Sequence, residues 1–437
     1  MDLRIKDSVK SVFCGMKPLE MSELVLFGLM AIVLPYDWQL VMWLLPLLVV
    51  NTIARIFAAR RIGNPSLSKG ARWALWLMVA FFGYQLVSML YSVNQANGRD
   101  MILRRLPLLL FVLCALAADS GYLTRSRLRV LMWLFTLSLT VKFIIRFIVM
   151  LAVSHKFVFA SSFDPVHHTY VAMYLMFVLG FLYDEWLNRR KDMSRTVQLF
   201  FSLVVLIMLA YLVMVLSRTG IAGLVVMVFA IIAYHLFCLK EVRRGLLMLA
   251  AVAVVGTGVY FMLPDSARRI TKTLTEVSDG DTSDARFLIF SSSMEGIGQN
   301  MPFGTGIGDK EEVLAEIYKA KGKDFTVEKQ YNSHNIYLDA TLTMGIPGLL
   351  LLLAALAVPS VMAWRRRDFI LMSLVFSVAF SGLFEALLNR QLGIMFIGLF
   401  WMILLASKEV KTENGELRTE KLVVLSFTSP LTSFNFP

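Results

Sequence analysis

Apolar residues recur along the chain in long runs that short polar stretches separate. A helix needs roughly 20 consecutive apolar residues to cross a bilayer, and by that measure the chain offers about twelve such runs. The predicted spans are residues 21–37, 38–55, 73–93, 104–119, 130–153, 167–187, 196–216, 219–239, 245–264, 335–363, 369–388 and 391–407. The pattern therefore predicts an all-α, polytopic membrane protein.

Composition and charge agree with this interpretation. Hydrophobic residues make up 57% of the 437 residues and charged residues 17%, whereas soluble domains have roughly 45–50% and about 25%. These proportions exclude a soluble multi-domain enzyme, a collagen and a disordered chain. The net charge of +12 comes from short basic clusters between the apolar runs, such as Arg60–Arg61 and Arg365–Arg367. Such clusters are typical of cytoplasmic loops, so they predict that both termini are cytoplasmic and that no nucleic acid is bound.

One connection, residues 265–333, is long and polar, and under this topology it lies outside the membrane. The predicted domains are residues 1–264 with nine spans, 265–333 as one large periplasmic helical loop, 334–407 with three spans and 408–437 as a cytoplasmic tail. Within the loop we expect one helix from about Asp284 and another at 310–321. The first helix carries a predicted apolar stripe of Phe287, Phe290, Met294 and Ile297.

Several basic residues gather at the predicted outer face. Arg218 lies in the tight turn 217–220 after the seventh span. There its guanidinium either places a positive charge at the outer end of the helix bundle or simply extends towards lipid headgroups. Lys142 and Arg146 are four residues apart, hence on one face of the fifth span. Ionisable groups at such positions usually line a cavity or a pathway. They can bind an anionic group of a lipid substrate, or pair with an intramembrane carboxylate such as Glu385.

His334 begins the tenth span, at the junction between the long loop and the membrane. Imidazole exchanges protons near neutral pH, which suits a general base, although a histidine at a helix start can also satisfy a backbone group. His167 and His168 have no carboxylate at metal-ligand spacing, and the glycines of 303–308 lack the Lys-Ser/Thr signature of a phosphate loop. We therefore predict no metal and no cofactor, and a simple turn at 303–308.

The most specific motif is His334-Asn335, followed after nine residues by Gly345-Ile346-Pro347-Gly348. This pattern resembles the bacterial O-antigen ligase and polymerase superfamily, membrane glycosyltransferases that use undecaprenyl-diphosphate sugars. The turn around Arg218 resembles the arginine turn of that family.

A second part of the resemblance lies in the long loop. Arg286 within Asp284–Phe287, followed by Pro302 and the glycines of 303–308, resembles the arginine helix and the Pro/Gly turn of the family's periplasmic loop. The resemblance covers chiefly residues 210–350, together with the twelve-helix layout.

The resemblance implies a GT-C-like transferase of the Gram-negative inner membrane, with its active site facing the periplasm. Its implied partners are an undecaprenyl-diphosphate-linked glycan as donor, a lipid A-core acceptor and membrane lipids. On this basis we expect His334 to act on the acceptor hydroxyl, with Arg218 and Arg286 binding the diphosphate. Further expected substrate-binding residues are Lys142, Arg146, Asn335 and Arg390.

Three alternatives remain besides an O-antigen ligase: an O-antigen polymerase, a protein O-oligosaccharyltransferase and a lipid-linked glycan transporter. Polymerases of the family more often have two sizeable external loops, whereas this chain has one. Many twelve-helix carriers have two similar halves with a long central connection, whereas here the connection 188–195 is short. The sequence therefore favours the ligase.

Overall fold

The computed structural model describes residues 12–154, 163–215, 217–247, 249–250, 285–322 and 332–407. Across these ranges the regular secondary structure is helical, with no strand, as the sequence predicts. The main helices are α1 (Pro18–Val33), α2 (Trp38–Ala59), α3 (Lys69–Met89), α4 (Gln95–Ala117), α5 (Arg125–Ser154), α6 (His168–Arg189), α7 (Arg195–Met214), α8 (Arg218–Ala233), α9 (Ala285–Gln299), α10 (Lys310–Ala320), α11 (Ile336–Arg366), α12 (Phe369–Ser381) and α13 (Gln391–Ala406).

The helices give the chain the character of a membrane protein. Six helices in the described ranges are long and apolar enough to cross a bilayer, and α12 and α13 are apolar but shorter. Each predicted span overlaps a helix except 245–264, which lies largely outside the described residues. That the chain crosses the membrane twelve times stays a prediction.

Packing divides the helices into a centre and a periphery. α6 and α13 are buried along almost their whole length, and aromatic rings pack between them and α5. The ring centroids of Phe135 and Phe400 are 4.8 Å apart in an edge-to-face contact, and those of Tyr174 and Phe396 are 4.8 Å apart with tilted planes. By contrast, α2 exposes large apolar side chains such as Trp43, which is 74% exposed. Outward apolar faces of this kind fit a lipid environment.

The predicted span 369–388 is too long, because α12 ends at Ser381. At Gly382 the chain turns to meet the start of α11, where the backbone N–H of Ile336 donates to the Gly382 carbonyl at 2.8 Å. Glu385 consequently lies in the α12–α13 connection, residues 382–390, and not inside a helix.

α11 is broken at Gly345, which has φ 64° and ψ −156°. This backbone conformation favours glycine because a side chain there would clash. The break leaves carbonyl groups without helical partners, and the N–H groups of Thr305 and Gly306 donate to the carbonyls of Leu342 and Thr343 at 2.8 and 3.0 Å. Irregular backbone at membrane depth is tolerated where such partners exist. The nine residues between Asn335 and Gly345 are therefore a short half-helix, 336–344.

The glycine-rich segment 303–308 is a turn, as predicted, and it fills the helix break. It is also packed against the α3–α4 connection, since a Cβ added at Gly306 would lie 2.3 Å from Ser92 Oγ. Asp309 accepts hydrogen bonds from the N–H groups of Val93 and Asn94, both at 2.7 Å. The turn thus joins the loop helices to the membrane helices.

The two loop helices form as predicted, but the predicted apolar stripe does not form the buried face of α9. Phe287, Phe290 and Met294 are 52%, 52% and 48% exposed, and only Ile297 is buried. The buried face instead packs on the half-helix and on α10, in a small core of Ile289, Ile297, Leu314, Tyr318 and Leu342.

Candidate functional site

The start of the half-helix is fixed by Asn335. Its side-chain oxygen caps the helix by accepting from the N–H groups of Tyr337 and Leu338 at 2.8 and 3.0 Å. Its side-chain nitrogen donates to the Leu383 carbonyl at 3.0 Å. One side chain therefore ties the half-helix to the α12–α13 connection. That Asn335 also binds substrate stays a prediction.

His334 immediately precedes this cap. It has a φ of 42°, and its N–H donates to Asn332 Oδ1 at 2.9 Å. A non-glycine residue in this region is strained by about 1–3 kcal/mol, and such strain clusters at functional sites. The imidazole Nδ1 lies 3.5 Å from Glu385 Oε2, with the histidine side chain 36% exposed and the glutamate side chain 5% exposed. The structure thus brings together an accessible imidazole and a buried carboxylate.

Glu385 is held in its ionised form. Burial raises the pKa of its carboxyl. The hydrogen bond and charge of His334, together with the charges of His167 and Arg390, lower the pKa by a larger amount, so the net shift is downward. An ionised carboxylate beside an imidazole orients the ring and favours the tautomer with its proton on the facing nitrogen. In that tautomer the opposite nitrogen, Nε2, is the proton-accepting atom of the ring.

Three buried polar atoms near this pair have no hydrogen-bond partner among the described residues. They are Glu385 Oε1, the Tyr170 hydroxyl and Ser381 Oγ. Buried polar groups are almost always satisfied, so such atoms need an explanation. Their partners are groups outside the described residues or a polar ligand.

The two arginines of the motifs lie on elements that contact this region. Arg218 is the first residue of α8, and Ser217 caps that helix by accepting from Gly220 N at 3.1 Å. A Cβ added at Gly220 would lie 2.6 Å from the Cβ of Ala172, one turn into α6. The backbone of Arg218 is therefore beside the start of α6, where His167 lies; the Arg218 side chain is outside the described residues.

Arg286 is the second residue of α9. Three residues later, Ile289 enters the small core that Leu338 of the half-helix also contacts. The Arg286 position is thus near the same half-helix that follows His334. Its side chain, too, is outside the described residues.

Lys142 and Arg146 contact the segment that precedes α6. Lys142 is buried, and its ammonium donates to Asp164 Oδ1 at 2.8 Å and to the Pro35 carbonyl at 2.6 Å. The alternative of a paired carboxylate is therefore realised, but with Asp164 in place of Glu385. Arg146 is half-buried, and its Nε donates to the Phe163 carbonyl at 2.9 Å.

Arg390 is exposed immediately before α13. Its charge acts on Glu385, so it lies close to the candidate site. Substrate binding by Arg146, Lys142 and Arg390 stays a prediction.

Sequence reasoning missed several polar residues at this end of the bundle. It did not predict Glu385 as the partner of His334, and it gave no role to Arg105, Lys310 or Asp339, which are all buried. The available signal was a charged residue inside an apolar run: Asp339 lies five residues after His334, and Arg105 lies in the fourth span.

Comparison with known families bears on this geometry. A sequence model of the family described as O-antigen ligase matches residues 203–353. Residues 203–353 are thus similar to the O-antigen ligase family. This region contains Arg218, Arg286, His334 and the half-helix, so the family resemblance of these motifs is confirmed, at the level of ligase- and polymerase-type enzymes. Glu385 lies beyond it. Comparison with curated proteins gives no match.

Proposed function

We propose that the protein is an O-antigen ligase of the Gram-negative inner membrane. It transfers a glycan from undecaprenyl diphosphate to a sugar hydroxyl of lipid A-core at the periplasmic face. The observation that carries this proposal is the His334–Glu385 pair, 3.5 Å apart at the start of the half-helix in the region similar to the O-antigen ligase family.

The reaction needs no nucleotide, because the diphosphate already activates the anomeric carbon of the donor. The acceptor hydroxyl oxygen attacks that carbon, and a C–O bond forms as the bond to the diphosphate breaks. Glu385 holds the proton of the imidazole on Nδ1, so Nε2 of His334 accepts the hydroxyl proton. A general base of this kind contributes roughly 10²–10⁴-fold in rate.

The leaving group is a lipid diphosphate, whose negative charge increases during the transfer. Arg218 and Arg286 bind it, since a guanidinium matches phosphate oxygens in bidentate geometry and stabilises developing charge. Arg146 and Arg390 supply further positive charge. Lys142 contributes less, because its ammonium is already paired with Asp164.

The topology follows from the same proposal. The loop 265–333 lies in the periplasm, where α9 and α10 cover the half-helix, and the tail 408–437 lies in the cytoplasm. Membrane helices on both sides of the loop then present the site to a donor that diffuses in the outer leaflet of the inner membrane.

The test is a strain whose only copy carries His334→Ala, compared with strains that carry the wild type or Glu316→Gln. Glu316 is an exposed residue of α10 and serves as a control for folding and expression. Lipopolysaccharide is analysed on a gel, and undecaprenyl-linked glycans are extracted in parallel. We expect His334→Ala to leave the lipid A-core bare while long glycan accumulates on the carrier. A core with a single repeat unit would instead indicate a polymerase, and unchanged lipopolysaccharide would refute the assignment of His334.

A further inference from the structure

Near the start of the half-helix lies a buried charge cluster of four residues, Arg105, Lys310, Asp339 and Asn389, which are 2%, 1%, 4% and 7% exposed. The Lys310 ammonium donates to Asp339 Oδ1 at 2.7 Å and to Asn389 Oδ1 at 3.0 Å. The Arg105 guanidinium donates through Nη2 to Asp339 Oδ2 at 3.1 Å and to Asn389 Oδ1 at 2.6 Å. Asn389 Nδ2 closes the cluster on Asp339 Oδ1 at 2.9 Å.

The buried charge cluster joins the two elements that carry the His334–Glu385 pair. Asp339 is on the half-helix that follows His334, and Asn389 is four residues after Glu385 in the α12–α13 connection. Their direct hydrogen bond therefore links the histidine side of the site to the glutamate side. Arg105 connects α4 to the cluster, and Lys310, the first residue of α10, connects the loop helix to it.

Stability alone is a weak explanation for this arrangement. Removing charges from water carries a desolvation penalty, and buried ionic clusters are often no more stable than apolar residues of the same volume. The penalty is visible at Lys310, since burial lowers the pKa of its ammonium although Asp339 opposes the shift. The cluster also holds two cations against one carboxylate, so its charges do not cancel. Such a cluster does fix the relative positions of the elements that carry it, because its hydrogen bonds are satisfied in one arrangement of those elements.

We propose that the buried charge cluster is a positioning device for glycan transfer, in which Lys310 and Asn389 hold the half-helix and the α12–α13 connection at the spacing that the His334–Glu385 pair requires. This inference rests on the proposed transfer reaction. It also gives the loop a role, because Lys310 makes the alignment of the pair depend on the docking of α10.

The central variant is Lys310→Met. It leaves Asp339 paired with Arg105 and Asn389, so no lone buried charge remains and the protein is expected to fold. The matched control is Lys319→Met, an exposed lysine on the same helix. Both purified proteins are assayed in liposomes with an undecaprenyl-diphosphate glycan and lipid A-core, and their thermal unfolding in detergent is followed.

We expect Lys310→Met to lower kcat by about 10- to 100-fold with KM for both substrates nearly unchanged, since a misplacement of about 1 Å costs up to 10²-fold. Lys319→Met should match the wild type. The decisive readout is the same substitution in a Glu385→Gln background. There we expect less than about a threefold further loss, because the alignment that the cluster maintains no longer matters.

Equal losses from Lys310→Met in the two backgrounds would overturn the proposal, since a purely structural role does not depend on Glu385. If Lys310→Met does not fold, Asn389→Ala answers the same question without changing charge, and full activity in that variant would equally refute the positioning role. Failure of the proposed function looks different: the wild type itself would then transfer no glycan to lipid A-core.

Discussion

Replacing Glu385 by glutamine tests how the site activates its histidine. The substitution keeps the shape of the side chain and removes the negative charge that lies 3.5 Å from His334 Nδ1. When the imidazole takes a proton, that charge stabilises the imidazolium. A hydrogen bond to a charged group is worth about 1.5–3 kcal/mol, and the pair is screened because His334 is 36% exposed. Screening places the expected effect near the lower limit of that range, so we expect kcat to fall by roughly 10-fold.

The assay is single-turnover transfer in liposomes, with Glu316→Gln as the control for an exposed carboxylate and Glu385→Asp as the conservative variant. Glu385→Asp should recover part of the rate. The pH dependence of unfolding supplies an independent check. Because the net pKa shift of Glu385 is downward from 4.5, its contribution to stability is present above that value and is lost as the pH falls through the lowered pKa.

The unfolding temperatures of the wild type and Glu385→Gln should thus differ at neutral pH and converge in acid. A Glu385→Gln protein with the wild-type rate would refute the account of His334 activation. A difference in unfolding temperature that grows as the pH falls would contradict the ionised state of Glu385.

Three further predictions concern the scaffold and the donor site. Gly345→Ala should prevent folding, since an added Cβ would lie 1.9 Å from the Pro302 carbonyl oxygen. The control Gly83→Ala should be tolerated, because no atom lies within 4 Å of its added Cβ. The two variants are compared by protein yield and by gel filtration in detergent. Lys142→Met removes the ammonium partner of the buried Asp164 carboxylate, which keeps hydrogen bonds from Tyr211 and Val166. It should lower the free energy of unfolding by about 3 kcal/mol, measured by denaturant unfolding. Arg218→Lys should lose most transfer activity although the charge is kept, because a lysine cannot bind phosphate in bidentate geometry; full activity would exclude that contact.

The order of the described helices follows from the apolar runs, and so does the helical nature of the loop segments Ala285–Gln299 and Lys310–Ala320, whereas several bounds, such as the end of 369–388, do not. The spacing of the family motif also has a physical basis, because the nine residues between Asn335 and Gly345 are the half-helix, which begins after its cap at Asn335 and ends at the break at Gly345. The spacing alone does not reveal the break, because the conformation of Gly345 depends on the turn 303–308, which precedes it by about 40 residues.

The partners within the site could not be predicted, because each pair joins distant parts of the chain. Lys142 was expected to have either a substrate or Glu385 as its partner, and the structure gives it Asp164, from the segment before α6. Glu385 is 51 residues from His334, and only the turn at Gly382 brings it to the start of α11. Sequence shows which charges lie in apolar runs; the packing of helices decides which of them meet.

In the proposed reaction the protein transfers a lipid-linked glycan to lipid A-core, with His334 as the general base and Glu385 as its partner. The most direct measurement is mass spectrometry of lipid A-core after incubation with an undecaprenyl-diphosphate glycan and purified protein in liposomes. We predict that the wild type yields glycosylated lipid A-core and that His334→Ala yields none above background. Equal product from the two proteins, or no product from the wild type, would contradict the account.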